Sequence, residues 1–425
     1  MRSEVHDKFG RPLVAVTGCG LVTSLGQGKE ANWSGLTQGR SGIRQIARFS
    51  TDGLRTTIAG SVDFFELSPY SAPALTISMA AAAGEEAVAE ADIARIGNFP
   101  GPLYLATPPA ELEWPQRKSL WDETGESKLV GYQRLLAAAR RSKHEDMARL
   151  FQFGSVADHL AGRFGTRGLP MSVSTACASG ATAIQLGVEA IRRRQANAAL
   201  CIGTDSSVQI EALIRFILLS ALSTRNDVPE KASRPFSKGR DGFVMAEGAG
   251  ALVLEDYASA KARGARVLGF VRGCGEKADD YHRTRSKPDG AAIIGAIRKA
   301  LADADFAPEE IDYVNAHGTS TPENDKMEYL SLKAVLGEHL ARTPVSSNKS
   351  MIGHTLSAAG AIEAVFSLMA IRTGKLPPTI NYDMPDPEIP LDVVPNFARD
   401  AAITTVLSNS FGFGGQNVSL VLSSP

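Results

Sequence analysis

The sequence predicts an α/β protein with a largely parallel sheet, built from two similar halves. Short β-branched runs alternate with Ala-rich segments of helical period along most of the chain, which is the pattern of strands each followed by a covering helix. The chain also resembles itself. Pro170-Met-Ser-Val-Ser-Thr-Ala-Cys177 precedes one Ala-rich helix as Pro344-Val-Ser-Ser-Asn-Lys349 precedes another, and Ala246-Glu-Gly-Ala-Gly-Ala-Leu-Val-Leu254 is echoed by Gly412-Phe-Gly-Gly-Gln-Asn-Val-Ser-Leu-Val-Leu422. The pairs recur in the same order, so a duplication divided near residue 260 is expected, with units 1–260 and 261–425 packed face to face. With 425 residues, 44% hydrophobic and 21% charged, the chain can bury a large core.

Taken in order, Met1 to Gly10 is charged and polar where a signal peptide needs an apolar run, which points to a cytoplasmic protein. Val14 to Thr17 reads as a strand, and Gly18-Cys-Gly20 after it invites a dinucleotide-binding reading. That reading fails because Thr23 stands where the third glycine belongs and no acidic residue closes a second strand about 20 residues on. No Walker motif is present. Residues 106–150 form a long polar insertion over the fold. Ala198 to Ile202 and Tyr313 to Asn315 read as further strands. The most apolar helical stretch, Ser357 to Ile371, is shorter than the ~20 residues that span a bilayer and contains Glu363, so it reads as a core helix.

Charge narrows the function classes. Lys plus Arg number 45 against 46 Asp plus Glu, and a net charge of -1 offers no global field for nucleic acid or an anionic membrane. Cys19, Cys177, Cys201 and Cys274 show neither CxxC nor Cys/His metal spacing, so no disulfide or zinc framework is expected.

One cysteine stands apart from ordinary core filler. Ser172-Val-Ser-Thr-Ala-Cys177 reads as a strand ending in a tight turn, with a helix over 178–191, so Cys177 sits where helix amides and the dipole favour thiolate. Ala178, Gly180 and Ala181 let another chain or a substrate approach, while Cys19, Cys201 and Cys274 keep the core reading. His317 occupies a turn at the C-terminal end of the strand Tyr313 to Asn315, where α/β sheets build their sites. Lys349 and His354 share a second turn directly before the apolar helix. Glu363 is the only charge in 357–371, and because an unpaired buried carboxylate costs several kcal/mol it needs a partner, for which Lys349 is the natural candidate. Gly412-Phe-Gly-Gly415 is a flexible loop whose glycines could direct amides at a developing oxyanion. His6, His144, His159, His282 and His339 sit in polar contexts and read as surface residues.

Together, Ser174-Thr-Ala-Cys177-Ala-Ser-Gly, Val314-Asn-Ala-His317-Gly-Thr-Ser-Thr-Pro322, Ser346-Ser-Asn-Lys349-Ser-Met-Ile-Gly-His354 and Asn409-Ser-Phe-Gly-Phe-Gly-Gly415 resemble the elongating β-ketoacyl-acyl-carrier-protein synthases. The resemblance also takes in Leu222-Ser-Thr-Arg-Asn-Asp227, Ser233-Arg-Pro-Phe-Ser-Lys-Gly-Arg-Asp-Gly-Phe243 and Leu376-Pro-Pro-Thr-Ile-Asn381, nearly end to end. It implies the thiolase-like fold, a five-layered α-β-α-β-α sandwich of two duplicated halves, and a homodimer. It implies that Cys177 takes an acyl chain from acyl carrier protein, and that His317 and His354 hold malonyl-carrier protein as carbon dioxide leaves. Lys349 paired with Glu363 would favour neutral histidines. The amides of Cys177 and Phe413 would form an oxyanion hole, with Gly412, Phe413 and Gly414 shaping the gate. Thr319, Thr321 and Asp325 would order the malonyl side and the His317 turn. No cofactor or metal is implied. Phe413 replaces the second cysteine of thiolases, which disfavours that relative. The histidine context disfavours chain-initiating synthases, and Cys177 disfavours a non-catalytic chain-length subunit.

Two departures concern docking. Where elongating synthases carry a basic run after Leu67-Ser-Pro-Tyr70, this chain has Ser71-Ala-Pro-Ala-Leu-Thr-Ile-Ser-Met79, and Ser220 replaces an arginine common in the family. The insertion offers Arg117, Lys118, Lys128, Arg134, Arg140, Arg141 and Lys143 as a substitute patch for a specialised carrier protein.

Overall fold

A computed structural model of the chain describes residues 5–67, 70–125, 128–141 and 145–425, so Lys143 and His144 lie outside the described residues. Ten strands carry the architecture: β1 (Val14–Thr23), β2 (Leu103–Ala106), β3 (Met171–Val173), β4 (Ala198–Asp205), β5 (Gly248–Asp256), β6 (Gly269–Ala278), β7 (Tyr313–Asn315), β8 (Val345–Ser346), β9 (Thr405–Phe411) and β10 (Gln416–Ser423). Their order is β3-β2-β4-β5-β1 in one half and β8-β7-β9-β10-β6 in the other. The halves join where Val14 to Val16 of β1 meets Gly269 to Val271 of β6, antiparallel. Directions repeat as well as order. β2 runs parallel to β3 and β4 as β7 does to β8 and β9, and the remaining neighbours are antiparallel. The two self-similar sequence pairs therefore occupy equivalent places: the 170 and 344 segments lead into the edge strands β3 and β8, and the 246 and 412 segments lead into β5 and β10.

The expectation of a largely parallel sheet is corrected to a mixed one. The strands β1 and β9 are buried throughout, and β5 and β10 at every residue but one end residue each, Asp256 and Gln416. A strand covered on both faces shows the continuous apolar run usual for parallel strands, whichever way it points.

Helices complete five layers. Helix α1 (Ala72–Ala91) packs outside the first sheet, with Ser71 capping its N-terminus by accepting from the Ala74 amide at 3.2 Å. Helices α3 (Ala291–Ala304) and α4 (Pro322–Leu336) cover the second half: α3 packs on β6 and β10, and α4 packs against α3. Between the two halves of the sheet lie α2 (Ser179–Arg192) and α5 (Ala359–Thr373), which contact each other and strands of both halves. They cross almost backbone to backbone. A Cβ on Gly180 would lie 2.6 Å from the Ala361 nitrogen, and one on Gly360 2.5 Å from that of Ala181. This small-residue crossing brings the starts of both helices, and the turns before them, to one place.

Leu356–Thr373 is long and apolar enough to cross a membrane by length and composition, but 89% of it is buried in the central layer. It is a core helix, apolar on every side because protein surrounds it. Among the described residues, the 106–150 insertion forms three short helices, Trp114–Asp122, Gly131–Ala139 and Glu145–Leu150.

Candidate active site

Cys177 stands between β3 and α2 in a turn locked by hydroxyls. The Thr175 amide donates to Ser179 Oγ at 2.8 Å, Ser179 Oγ donates to the Ala176 carbonyl at 2.6 Å, and Thr175 and Thr182 share a hydroxyl contact at 2.9 Å. Ala176 adopts φ +49°, a costly conformation for a residue with a side chain, which these bonds hold in place. Cys177 is 8% exposed. Burial pushes its thiol up to about 11, while the Phe413 backbone amide at the sulfur and the nearby Lys349 charge oppose the rise. At Cys177 burial therefore outweighs the helix-start amides that were expected to favour the thiolate. Amides at the helix end act over one turn, whereas the whole surrounding protein desolvates the sulfur.

His317 and His354 come from the other half. The amides of His317 and Gly318 donate to the two carboxylate oxygens of Glu328 on α4, at 2.9 and 2.8 Å, which fixes the turn after β7. His354 is anchored to the first half: its amide donates to the Val244 carbonyl at 2.7 Å, and its carbonyl accepts from the Ala246 amide at 2.9 Å. The two rings lie 5.2 Å apart between centroids, nearly perpendicular. Phe411 flanks His317 at 5.6 Å and Phe243 flanks His354 at 5.3 Å, both edge-on.

The hydrogen bonds determine the tautomers. The Leu356 amide can only donate, so His354 Nδ1, 3.2 Å away, accepts. The Lys349 ammonium likewise only donates, and it lies 3.4 Å from His317 Nδ1. In both rings Nε2 is left as the N–H donor. Burial and then the Lys349 charge hold both histidines well below the ordinary value, His354 adding a smaller push on His317. Both are neutral.

Lys349 is ion-paired with Glu363 of α5, and each is 1% exposed. Burial pushes Glu363 up to about 7 against the pull of the ammonium. The expected pair is therefore present.

The Gly-rich turn is only partly at the site. Gly412 and Phe413 line the cavity described below, with the Phe413 amide against the Cys177 sulfur. The Gly412 amide donates to the Gln416 carbonyl at 2.7 Å, and the Gly414 amide to the Arg283 carbonyl at 2.7 Å, so those two amides are bound within the protein. Thr319 and Thr321 line the cavity and share a hydroxyl contact at 2.9 Å, and Thr321 also caps α4 through the Asn324 amide at 3.2 Å. Asp325 lies behind the wall: it accepts from the Phe236 amide at 2.8 Å and faces Arg240 at 3.8 Å.

Cys177, His317 and His354 meet in one cavity of about 590 Å3. Residues 282–286 form part of its rim, so His282, expected on the open surface, is exposed but lines the mouth. Sequence reasoning also missed Glu328 and Asp205. Asp205, at the end of β4, accepts from the Ser357 amide at 3.0 Å and so ties the first half to the start of α5. Asp205 and Glu328 are both fully buried, but Glu328 shares α4 with Glu323, Asp325, Lys326 and Lys333, so nothing in the sequence marks it out. Among the described residues, no group of His, Cys, Asp and Glu could hold a metal.

The duplicated sandwich with its cavity between the halves places the chain in the thiolase-like class. It belongs to the β-ketoacyl synthase family: the family's N-terminal domain pattern matches residues 12–88 and 128–260, and its C-terminal domain pattern matches 268–383. The chain is 37% identical to a 3-oxoacyl-[acyl-carrier-protein] synthase 2 of Coxiella burnetii, covering 96% of this chain and 98% of the relative. It is 38% identical to a putative polyketide beta-ketoacyl synthase 1 of Streptomyces cyaneus, covering 97% and 98%. Among solved structures, a type II PKS acyl-carrier protein in complex with its ketosynthase bound to the hexaketide matches with a TM-score of 0.87 at 32% identity, covering 98% of this chain and 100% of that one. The ishigamide ketosynthase/chain length factor matches at 0.84 and 35%, with the same coverage.

Proposed function

We propose that this protein condenses malonyl-acyl-carrier protein with an enzyme-bound acyl chain, releasing carbon dioxide and giving 3-oxoacyl-acyl-carrier protein in fatty acid elongation. Cys177 attacks the acyl thioester: a carbon–sulfur bond forms to Sγ, the carrier thiol leaves, and the Sγ proton passes to it. With malonyl-carrier protein in place, the bond to the carboxylate breaks and carbon dioxide departs. The electron pair enters the thioester as an enolate whose oxygen accepts from Nε2–H of His317 and His354. The enolate carbon attacks the acyl-enzyme, the oxyanion accepts from the amides of Cys177 and Phe413, and Sγ leaves and takes up a proton. Lys349, with Glu363, keeps His317 neutral and in the donating tautomer. Thr319 and Thr321 line the approach, and Asp325 and Glu328 position the surrounding turns.

The observation that carries this reading is the tautomer of the two histidines, since two Nε2–H donors in a cavity with one thiol suit an enolate oxygen. The reading takes acyl- and malonyl-loaded carrier protein as partners of a cytoplasmic homodimer. Its two units are 1–260 and 261–425, with the insertion at 106–150 in the first. A second reading, a polyketide-type ketosynthase, is favoured by the similarity to the putative polyketide beta-ketoacyl synthase 1 of Streptomyces cyaneus and to the ketosynthase solved with a type II PKS acyl-carrier protein. A non-catalytic chain-length partner is disfavoured by the complete thiol and histidine set.

Purified protein is expected to become acylated at Cys177 and to release carbon dioxide from malonyl-carrier protein. Cys177→Gln should abolish acylation by mass spectrometry while leaving decarboxylation. Failure of the native protein in both assays would falsify the proposal.

A further inference from the structure

The cavity grades from a buried floor of Cys177, His317 and His354, past the hydroxyls of Thr319 and Thr321, to an exposed rim on 282–286. That rim carries two guanidinium groups, Arg283 and Arg285. Both are exposed, both line the cavity, and neither is ion-paired among the described residues. Among the described residues, none of the acids that line the cavity pairs with either arginine. Asp279 accepts from the amides of Tyr281 and Lys287 at 3.0 and 2.8 Å, and Asp241 faces Ser223 and Arg225. Glu323 is exposed on the first turn of α4 and lines the cavity together with Lys326.

The segment is held rather than loose. The Arg283 carbonyl accepts from the Gly414 amide and the Gly415 carbonyl from the Asp279 amide, each at 2.7 Å. The rim and the turn that presents Phe413 to Cys177 are thereby joined. The cations of the insertion, expected to form a substitute docking patch, are mostly engaged within it. Arg117 donates to the Leu112 carbonyl at 2.7 Å, Lys118 pairs with Asp122, Arg134 stacks on Trp121 at 4.4 Å, and Arg141 donates to the Glu123 carbonyl at 2.7 Å. None of them lines the cavity.

We propose that Arg283 and Arg285 bind the phosphodiester at the outer end of the phosphopantetheine arm, as a specificity-determining pair. This rests on the carrier-dependent reading above. A thioester reaching the buried floor brings its arm through the mouth, and the arm is uncharged except for that phosphodiester. An anion therefore arrives at the rim when the reacting carbon is at the floor. Unpaired guanidiniums suit phosphate oxygens through paired N–H donors. Because both arginines line the cavity, the ligand they meet is the arm, not the outer surface of the carrier.

The test compares decarboxylation of malonyl-pantetheine, malonyl-phosphopantetheine and malonyl-carrier protein by native protein, by Arg283→Gln/Arg285→Gln, and by Arg140→Gln/Arg141→Gln as an insertion control. Charge-assisted bonds of this kind predict that native protein prefers the phosphorylated arm over pantetheine by roughly 10- to 100-fold in kcat/KM. The rim variant should lose that factor through KM with both phosphorylated substrates and none of it with malonyl-pantetheine, while the insertion control behaves as native. Equal use of the two small substrates by native protein overturns the inference. So does an equal loss on all three substrates in the rim variant, or a loss confined to whole carrier protein, which would indicate an acidic protein surface instead. Native protein that turns over none of the three loses the carrier-dependent reading as well, an outcome distinct from turnover indifferent to phosphate.

Discussion

Replacing Lys349 by Met separates the two effects ascribed to its ammonium. The variant leaves Glu363, 1% exposed, without its ion-pair partner, and Glu363 Oε2 already finds no hydrogen-bond partner among the described residues. Breaking a buried pair at one end costs about 3–5 kcal/mol when the remaining group stays charged. Glu363 has an escape, because burial already holds it at about 7. In the unfolded chain it titrates near ~4.3, so between those values the folded protein carries the extra proton and stability falls by about 1.4 kcal/mol per pH unit. In native protein that loss ends as the pH passes about 7. Without the ammonium the folded value climbs, so the loss continues at higher pH. Urea denaturation at rising pH above neutrality should therefore show the variant losing about 1.4 kcal/mol per pH unit relative to native protein. Lys349→Met/Glu363→Gln should recover stability and remove the excess slope. Catalysis should not recover, because His317 Nδ1 has lost its donor and a misdirected oxyanion donor costs about 100- to 1,000-fold. The decarboxylation profile of Lys349→Met should also gain an acid limb at higher pH than native protein, since one of the charges holding His317 neutral is gone. A single variant that tracks native stability throughout, or a double variant no more stable than the single, would refute the reasoning.

Glu328→Gln keeps the size of the side chain but offers one acceptor oxygen where the amides of His317 and Gly318 now use two. It should lower stability by about 1–3 kcal/mol and decarboxylation with it, measured by thermal unfolding and carbon dioxide release; an unchanged melting temperature would contradict the assigned contacts. With burial holding the Cys177 thiol up at about 11, alkylation of the free protein by iodoacetamide should keep accelerating with pH well past the ordinary ~8.5 of a cysteine. A rate plateau near neutrality would show instead that the helix amides outweigh desolvation.

Local features were legible because each rests on a few adjacent residues. The strand-turn-helix around Cys177, the turn after Tyr313–Asn315 and the Lys349–Glu363 pair follow from short apolar runs interrupted by one polar group that has to be satisfied. The internal repeat also pointed to equivalent places in the two halves. Strand direction was not legible, because β5 and β10 are buried on both faces and a two-sided apolar run carries no sign of which way the chain is travelling.

What the sequence by itself determined is the inventory: one exceptional cysteine, two histidines in turns, a lysine with a carboxylate to match, and a duplication to bring them together. Only the tertiary structure decided how these groups behave. The crossing at Gly180 and Gly360 sets the depth of burial, and burial is a property of everything packed around a group. Hence the thiol is raised, both imidazoles are held neutral, and Glu328 becomes the anchor of the His317 turn. The rim is likewise a tertiary fact, since Arg283 and Arg285 meet the mouth of the cavity only because their segment is bonded to the Gly412–Gly415 turn more than a hundred residues later.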